Sequence, residues 1–161
     1  MKRIEGDFVV HATAQEVLSY FGDLRNILPA LPGLVEAKEA TAELGTVVIK
    51  VGVSFLKGRF TARLAQTSHT ENGVRFRGHA DGVGSAVDFE AGLDVASGDV
   101  TTTNVHWFGD VRVHGSLASV SAGLLTPIIN QNVQLFAGNL KNGLESRAVQ
   151  ADTVAQRVGE G

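Results

Sequence analysis

From Ser116 to Ala148 the chain reads as one long helix, the only such segment, and it follows a long run of short, glycine-punctuated strands. Leu117, Val120, Leu124, Ile128, Leu135, Leu140 and Leu144 recur close to helical spacing. Ser119, Asn130, Asn132, Lys141 and Glu145 fall mainly elsewhere on the wheel. A helix with one apolar side must bury it, and here the material available to cover it is antiparallel sheet. A long helix lying across a curved sheet encloses an apolar space. Pro127 lies in mid-helix, where its ring crowds the Gly123 carbonyl, so either a kink there or a break at Thr126 is expected.

The strands show themselves by alternation. Arg3 to His11 places Ile4, Phe8 and Val10 on one side and Glu5 and Asp7 on the other. Thr13 then caps a short helix, with Glu16 completing a capping box. A second short helix starts at Asp23 and stops at Pro29 and Pro32. Six further strands follow, at 34–40, 44–53, 56–67, 73–81, 84–96 and 99–114. They are separated by turn signals at Ala42-Glu43, Ser54, Glu71-Asn72-Gly73, Gly82 with Gly84, and Ser97-Gly98-Asp99.

Alternation also assigns the two faces. Val47, Ile49, Val51, Phe60, Ala62, Leu64, Phe76, Gly78, Ala80, Val87, Phe89, Ala91, Val105, Trp107, Val111 and Val113 share one side. Arg59, Arg63, Arg75, Arg77, His79, Asp88, Glu90 and Asp94 share the other. The expectation is an α+β domain with a curved seven-stranded antiparallel sheet wrapped on a long C-terminal helix, and two short helices after strand one. Residues 1–147 form this domain, and 148–161 a frayed polar tail.

Composition narrows the function classes. Glycine makes up 19 of 161 residues, well above the usual 7% or so, and many glycines lie inside strands, where they permit bends and close approach. Cysteine is absent, which excludes thiolate chemistry and cysteine-ligated metals. A net charge of −3 argues against nucleic acid as a partner. Lys2 and Arg3 precede Glu5 and Asp7 instead of an apolar run, so a cytoplasmic protein is expected, without a signal peptide or spanning segment.

Several short motifs occur in a particular order: Gly6 with Phe8 and Val10, Asp23-Leu24 before Leu31-Pro32-Gly33, and Val51-Gly52-Val53 leading to Lys57-Gly58-Arg59-Phe60. Gly78 through Gly82, Gly84-Ser85-Ala86, and Val113-His114-Gly115-Ser116-Leu117-Ala118 follow. Together they resemble the carbon monoxide dehydrogenase G-subunit family, within the START-like, helix-grip (SRPBCC) superfamily, over residues 4–144. The resemblance implies a small protein accompanying a molybdenum hydroxylase at the inner face of the cytoplasmic membrane. Members of that family often carry a C-terminal extension ending in a membrane-seeking segment; the tail to Gly161 shows none, so anchoring through one is not expected.

Catalytic signatures are sparse. His11, His69, His79, His106 and His114 form no metal-ligand spacing such as HExxH. His106 and His114 are separated by roughly 27 Å along one strand, too far to share an ion. No Gly-x-Ser-x-Gly occurs, and Gly82-Val83-Gly84 between antiparallel strands reads as a hairpin turn. Ser85, Thr101 and Thr103 are the polar residues expected at the rims of the apolar side, and Tyr20 and Asp23 near its entrance.

The expected function is therefore non-enzymatic binding of a hydrophobic ligand, a lipid or isoprenoid quinone, with no cofactor or metal. Phe60, Phe76, Phe89, Trp107, Leu117, Leu124, Ile128 and Phe136 are expected to line the cavity, and Leu28, Leu31 and Leu56 its mouth. Two alternatives stay open. One is a docking adaptor whose core is filled, marked by Leu34, Leu56 and Val120 gathered in an exposed patch. The other is a polyketide cyclase or dehydratase, which needs a Tyr, His, Asp or Arg projecting into the pocket.

Overall fold

The computed structural model describes residues 2–53, 56–97, 101–120 and 122–160, with side chains for all of these except 2, 53, 56, 97, 122 and 147–160. Strand β1 (Lys2–Val10) leads into α1 (Ala14–Phe21) and α2 (Leu24–Ile27), which runs into a 3₁₀ turn at Leu28–Ala30. The strands β2 (Leu34–Ala40), β3 (Leu44–Val53), β4 (Leu56–His69), β5 (Gly73–Gly82), β6 (Ser85–Ser97) and β7 (Thr103–Gly115) follow in antiparallel succession. The last helix, α3, spans Ala122–Glu160. All seven strands form one sheet in the order β1-β7-β6-β5-β4-β3-β2. The expected breaks at Ser54 and Gly98-Asp99 lie outside the described residues.

Local chemistry sets the boundaries. The Thr13 side chain accepts a hydrogen bond from the Glu16 N–H at 3.1 Å, and Asp23 accepts one from Arg25 N–H at 2.9 Å, so each short helix has a satisfied first turn. Pro29 cannot donate, and the chain tightens into the 3₁₀ turn and leaves at Leu31 in extended conformation.

Register confirms the faces drawn by alternation. Val47, Ala62, Ala80, Val87 and Val113 align across five strands on the inner side. Thr46, Arg63, His79, Asp88 and Arg112 align beside them on the outer side.

Three inner-face glycines are filled instead of empty. A Cβ on Gly6 would stand 2.7 Å from the Trp107 ring, its cross-strand partner. Gly78 lies beneath the Phe89 ring in the same way, and Gly45 beneath Leu28. The smallness of Gly78 therefore admits an aromatic ring laid flat across the sheet. Leu28, expected at a cavity mouth, is only 1% exposed, because the Pro29 turn aims it down onto Gly45.

The long helix departs from expectation at its start. Gly115 (φ 77) turns the chain out of β7, Ser116–Ser119 form a 3₁₀ turn, and Val120 is extended. Serines compete with helical hydrogen bonding, and here the Ser119 hydroxyl donates to the Ser116 carbonyl at 2.7 Å. The break thus falls before Ala122, and α3 continues through Pro127 as one element. The backbone of α3 runs on as helix to Glu160; extending an existing helix costs far less than nucleating one.

The altered start shifts the helix phase. Leu140 and Leu144 are buried, and Leu125, Ile129, Val133 and Phe136 follow their spacing as half-buried residues. Leu124 and Leu135 are 53% and 51% exposed. Counted back from Leu140 at 3.6 residues per turn, Leu124 lies about 160° round the helix. The expected stripe counted helical turns straight through a segment that is not α-helical.

Two measurements test these placements. Gly6→Ala drives a methyl against the Trp107 ring and is expected to lower stability by about 1–3 kcal/mol in chemical denaturation; an unchanged midpoint would mean that the ring does not occupy that site. Pro127→Ala gives the Gly123 carbonyl a donor and is expected to slow amide exchange across the first turns of α3, by up to about 3 kcal/mol in local protection. Equal exchange in both proteins would show that Pro127 does not loosen the helix.

Candidate functional site

Two apolar clusters divide the space between sheet and helix. The larger joins α1, α2, one end of the sheet and the second half of α3, through Phe21, Leu24, Leu28, Val47, Val74, Leu140 and Leu144. In it Tyr20 stands against Gly143, and the Asn139 side chain donates to the Ala30 carbonyl at 3.0 Å. The smaller cluster centres on Phe60 and Leu117, with Val51, Ala80, Val113, Val120 and Leu125 against it. The Leu117 N–H donates to the Ser85 hydroxyl at 3.0 Å, fixing the 3₁₀ turn to β6.

Between the clusters the inner face is incompletely covered. Val87, Phe89, Ala91, Gly109, Val111 and Val113 are half-buried despite being the middle of the apolar side. Gly109, which pairs with Ile4 and Ala91, has no atom within 4 Å of where its Cβ would stand. The second half of α3 lies against the 28–30 turn, α1 and β1. Its first turns meet the sheet side through Leu125.

The expected lining residues distribute unevenly over this arrangement. Phe60 and Leu117 form the smaller cluster, and Phe76 is 9% exposed within the larger. Phe89, Trp107, Phe136 and Leu31 are half-buried against the larger cluster, and Ile128 is half-buried on α3. Leu124 points to solvent; its neighbour Leu125 takes the inward position. Leu56 begins β4, and its side chain lies outside the described residues. Leu34 and Val120 are half-buried in separate clusters and make no common exposed patch. Leu125 and Gly109 were missed by the sequence reading as space-defining positions; the spacing back from Leu140 and Leu144 would have found the first.

Polar groups on the described inner face are already engaged. The Thr103 hydroxyl donates to the Ala12 carbonyl at 2.7 Å, the Gln66 amide donates to the Gly22 carbonyl at 2.7 Å, and the Ser85 hydroxyl holds Leu117.

Titratable chemistry sits on the other side of the sheet. His79 bridges Asp88 at 2.6 Å and Asp81 at 2.9 Å, and His114 reaches the second Asp88 oxygen at 2.9 Å. His106 contacts Asp7 at 2.8 Å, and Arg3 grips Asp110 with two bonds of 2.8 Å. Asp88, and Asp81 beside it, hold the His79 imidazole above the ordinary histidine range. Asp88 is correspondingly lowered, by His79 first and then His114. Asp7 raises His106, and Arg3 lowers Asp110. No group of three or more His, Asp or Glu side chains is arranged to hold a metal among the described residues. A depression of about 700 Å³ lies over this outer lattice, lined by Arg63, Arg77, His79, Asp88 and Glu90. Another, of about 840 Å³, lies beside α1 and is lined by Gln66 and His69. Both are open grooves away from the apolar side.

These features define a START-like, helix-grip protein: a curved antiparallel sheet, two short helices after its first strand, and a long final helix across the apolar face. The sequence matches the carbon monoxide dehydrogenase G-subunit (CoxG) family over residues 6–145, and the chain belongs to that family. Among curated proteins none matches it significantly. A conserved protein from Geobacillus kaustophilus superposes with a TM-score of 0.78 at 15% identity, covering 90% of this chain and 96% of that one. A START superfamily protein from Mycobacterium smegmatis gives 0.63 at 11% identity, covering 92% and 98%. The Zhui aromatase/cyclase from a Streptomyces species gives 0.60 at 14%, covering 92% and 94%. At these identities the likeness is one of fold. No helix among the described residues is long and apolar enough to cross a membrane.

The outer lattice makes a pH prediction. Because the His79 value is raised on folding, its contribution to stability is fully present below the ordinary value of 6.5 and is lost as pH rises through the raised one. In an NMR titration the His79 midpoint is expected above 6.5 and should fall on Asp88→Asn. The wild-type and His79→Gln melting temperatures should converge at alkaline pH. A normal His79 midpoint would show that the bridge is not formed in solution.

Proposed function

We propose that this protein holds a hydrophobic molecule, a lipid or isoprenoid quinone, between the sheet and α3, as an accessory to a molybdenum hydroxylase of the carbon monoxide dehydrogenase type. The observation that carries the reading is the half-buried apolar centre of the sheet, where Gly109 faces open space between two packed clusters. Apolar surface left incompletely covered inside a fold is stabilised when an apolar molecule covers it. Phe60, Phe89, Trp107, Leu117, Ile128 and Phe136 border that region, with Phe76 behind it, Leu125 in the place expected for Leu124, and Leu31 at its edge.

The chemistry favours holding over conversion. A reaction on a bound molecule needs a side chain that donates or accepts a proton there, and the described inner-face hydroxyls and amide are bound to backbone groups. The family supports the link to a dehydrogenase. Ligand exchange would proceed by movement of the first turns of α3, since the second half is fixed by Leu140, Leu144 and Asn139.

Native mass spectrometry of the purified protein, with extraction of co-purified lipids and quinones, tests this reading. A bound apolar molecule is expected, and Gly109→Leu should abolish its retention while leaving the circular dichroism spectrum and melting cooperativity intact. Gly109→Ala should be neutral or stabilising by about 0.4–1 kcal/mol, since the space is open and less chain entropy is lost on folding. A wild-type protein that carries nothing and binds no member of a lipid and quinone panel would overturn the proposal in favour of the docking adaptor.

A further inference from the structure

Between Gly115 and Leu140 the sequence holds no Asp, Glu, Lys, Arg or His, although Asp, Glu, Lys and Arg make up 19% of the chain. Much of that stretch is the solvent-facing side of α3. Counted round the helix, Leu124, Ile128, Gln131, Leu135 and Gly138 fall within about 80° of its circumference, on the side away from Leu140 and Leu144. Leu124 and Leu135 are the exposed apolar groups of this stripe, at 53% and 51%. Gly138 has no atom within 4 Å of where its Cβ would stand, which leaves an open notch in the stripe. Gln131 and Gln134 are exposed and make no hydrogen bond with a described residue. A surface helix ordinarily turns charged residues to water; this one turns leucine and neutral amides.

The stripe is complementary to itself. Leu124 and Gly138 lie equally far in sequence to either side of Gln131, about 10.5 Å along the axis in opposite directions. A two-fold axis through Gln131 therefore sets two α3 helices antiparallel. Leu124 of each copy then lies over the Gly138 notch of the other, and Leu135 over the exposed Pro127. On the axis Gln131 meets its own counterpart. A neutral amide carries both donor and acceptor and can bond to itself, where a charged group would meet its like.

We propose that the exposed face of α3 is the interface of a two-fold dimer with a second copy of this chain, the helices packed antiparallel about Gln131. A lipid surface is a poorer match, because a helix lying on one carries Lys or Arg beside its apolar stripe, and this stretch has neither. A foreign protein is usually selected by complementary charge, which this face lacks. The contact falls on the half of α3 that the core holds lightly, so a second copy gives it the support that Leu140 and Leu144 give the other half. The inference does not depend on the proposed ligand.

Sedimentation velocity of the full chain over a range of concentrations tests the interface. The wild type is expected to pass from one chain to two as concentration rises. Leu124→Glu, which enters the contact twice, should weaken association by about 100-fold or more. Leu44→Glu, at an equally exposed leucine on β3, should leave it unchanged. Gly138→Leu should fill the notch and abolish association, while the melting temperature of the single chain holds or rises because leucine is the better helix former. Gln131→Glu and Gln131→Lys should each weaken association alone and recover it when mixed in equal amounts. A single-chain mass at every concentration up to about 1 mM would overturn the proposal. So would association that survives Gly138→Leu, or that the mixed Gln131 variants do not recover. A chain that stays single yet co-sediments with lipid vesicles through Leu124 and Leu135 would overturn it in favour of a lipid surface.

Discussion

The uneven grip on α3 is the constraint from which the rest of the molecule follows. Leu140 and Leu144 sink into the core formed by α1, α2 and the sheet, Tyr20 fills the notch left by Gly143, and Asn139 ties the helix to the 28–30 turn. These contacts fix the rotation and position of the second half. The first half inherits its phase from them and reaches the sheet side through Leu125. A helix held firmly at one end and lightly at the other can open a space beneath itself without disturbing the core. Pro127 lies in the lightly held part, where a missing hydrogen bond costs least in tertiary packing.

How much of this was legible in the sequence depended on whether a local rule governed each feature. Period-two alternation holds wherever one face of a strand is buried, so the strands, their face assignment and the charged outer ladder could all be read directly, whereas the pairing of β1 with β7 could not. The capping residues Thr13 and Asp23 act within three residues of themselves and were equally plain. The helix phase was not, because Gly115 and the 3₁₀ turn after it interrupt the count, and the angle across such a break depends on tertiary contacts such as that between Ser85 and Leu117. Leu28 was misplaced for a similar reason: only the register of β3 shows that Gly45 stands beneath it. The glycines were ambiguous one by one. Gly78 and Gly109 look alike in the sequence, yet Phe89 covers the first while the second faces open space, and only the cross-strand partner decides between them.

The two faces of the sheet divide the labour of stability and binding. On the outer side most of the charge is neutralised locally: Asp88 between His79 and His114, Asp110 against Arg3, Asp94 against Arg75 and Glu90 against Arg77. Exposed pairs of this kind contribute little each. The stability of the sheet therefore rests chiefly on the apolar clusters of its inner side.

Comparison with an aromatase/cyclase of the same architecture sharpens what the inner face means. A shared fold supplies a sheet, a long helix and the space between them; chemistry requires particular side chains within that space. Here Thr103 holds the Ala12 carbonyl, Ser85 holds the turn into α3, and Gln66 holds the end of α1. Each of these three polar groups thus closes a junction between elements, and freeing it for a reaction would leave a buried backbone group unpaired. That cost, about 1–3 kcal/mol for each group, sets these residues to structural work. On the proposed reading an apolar ligand makes no demand on them, so the side chains that secure these junctions can keep their backbone partners while it is held.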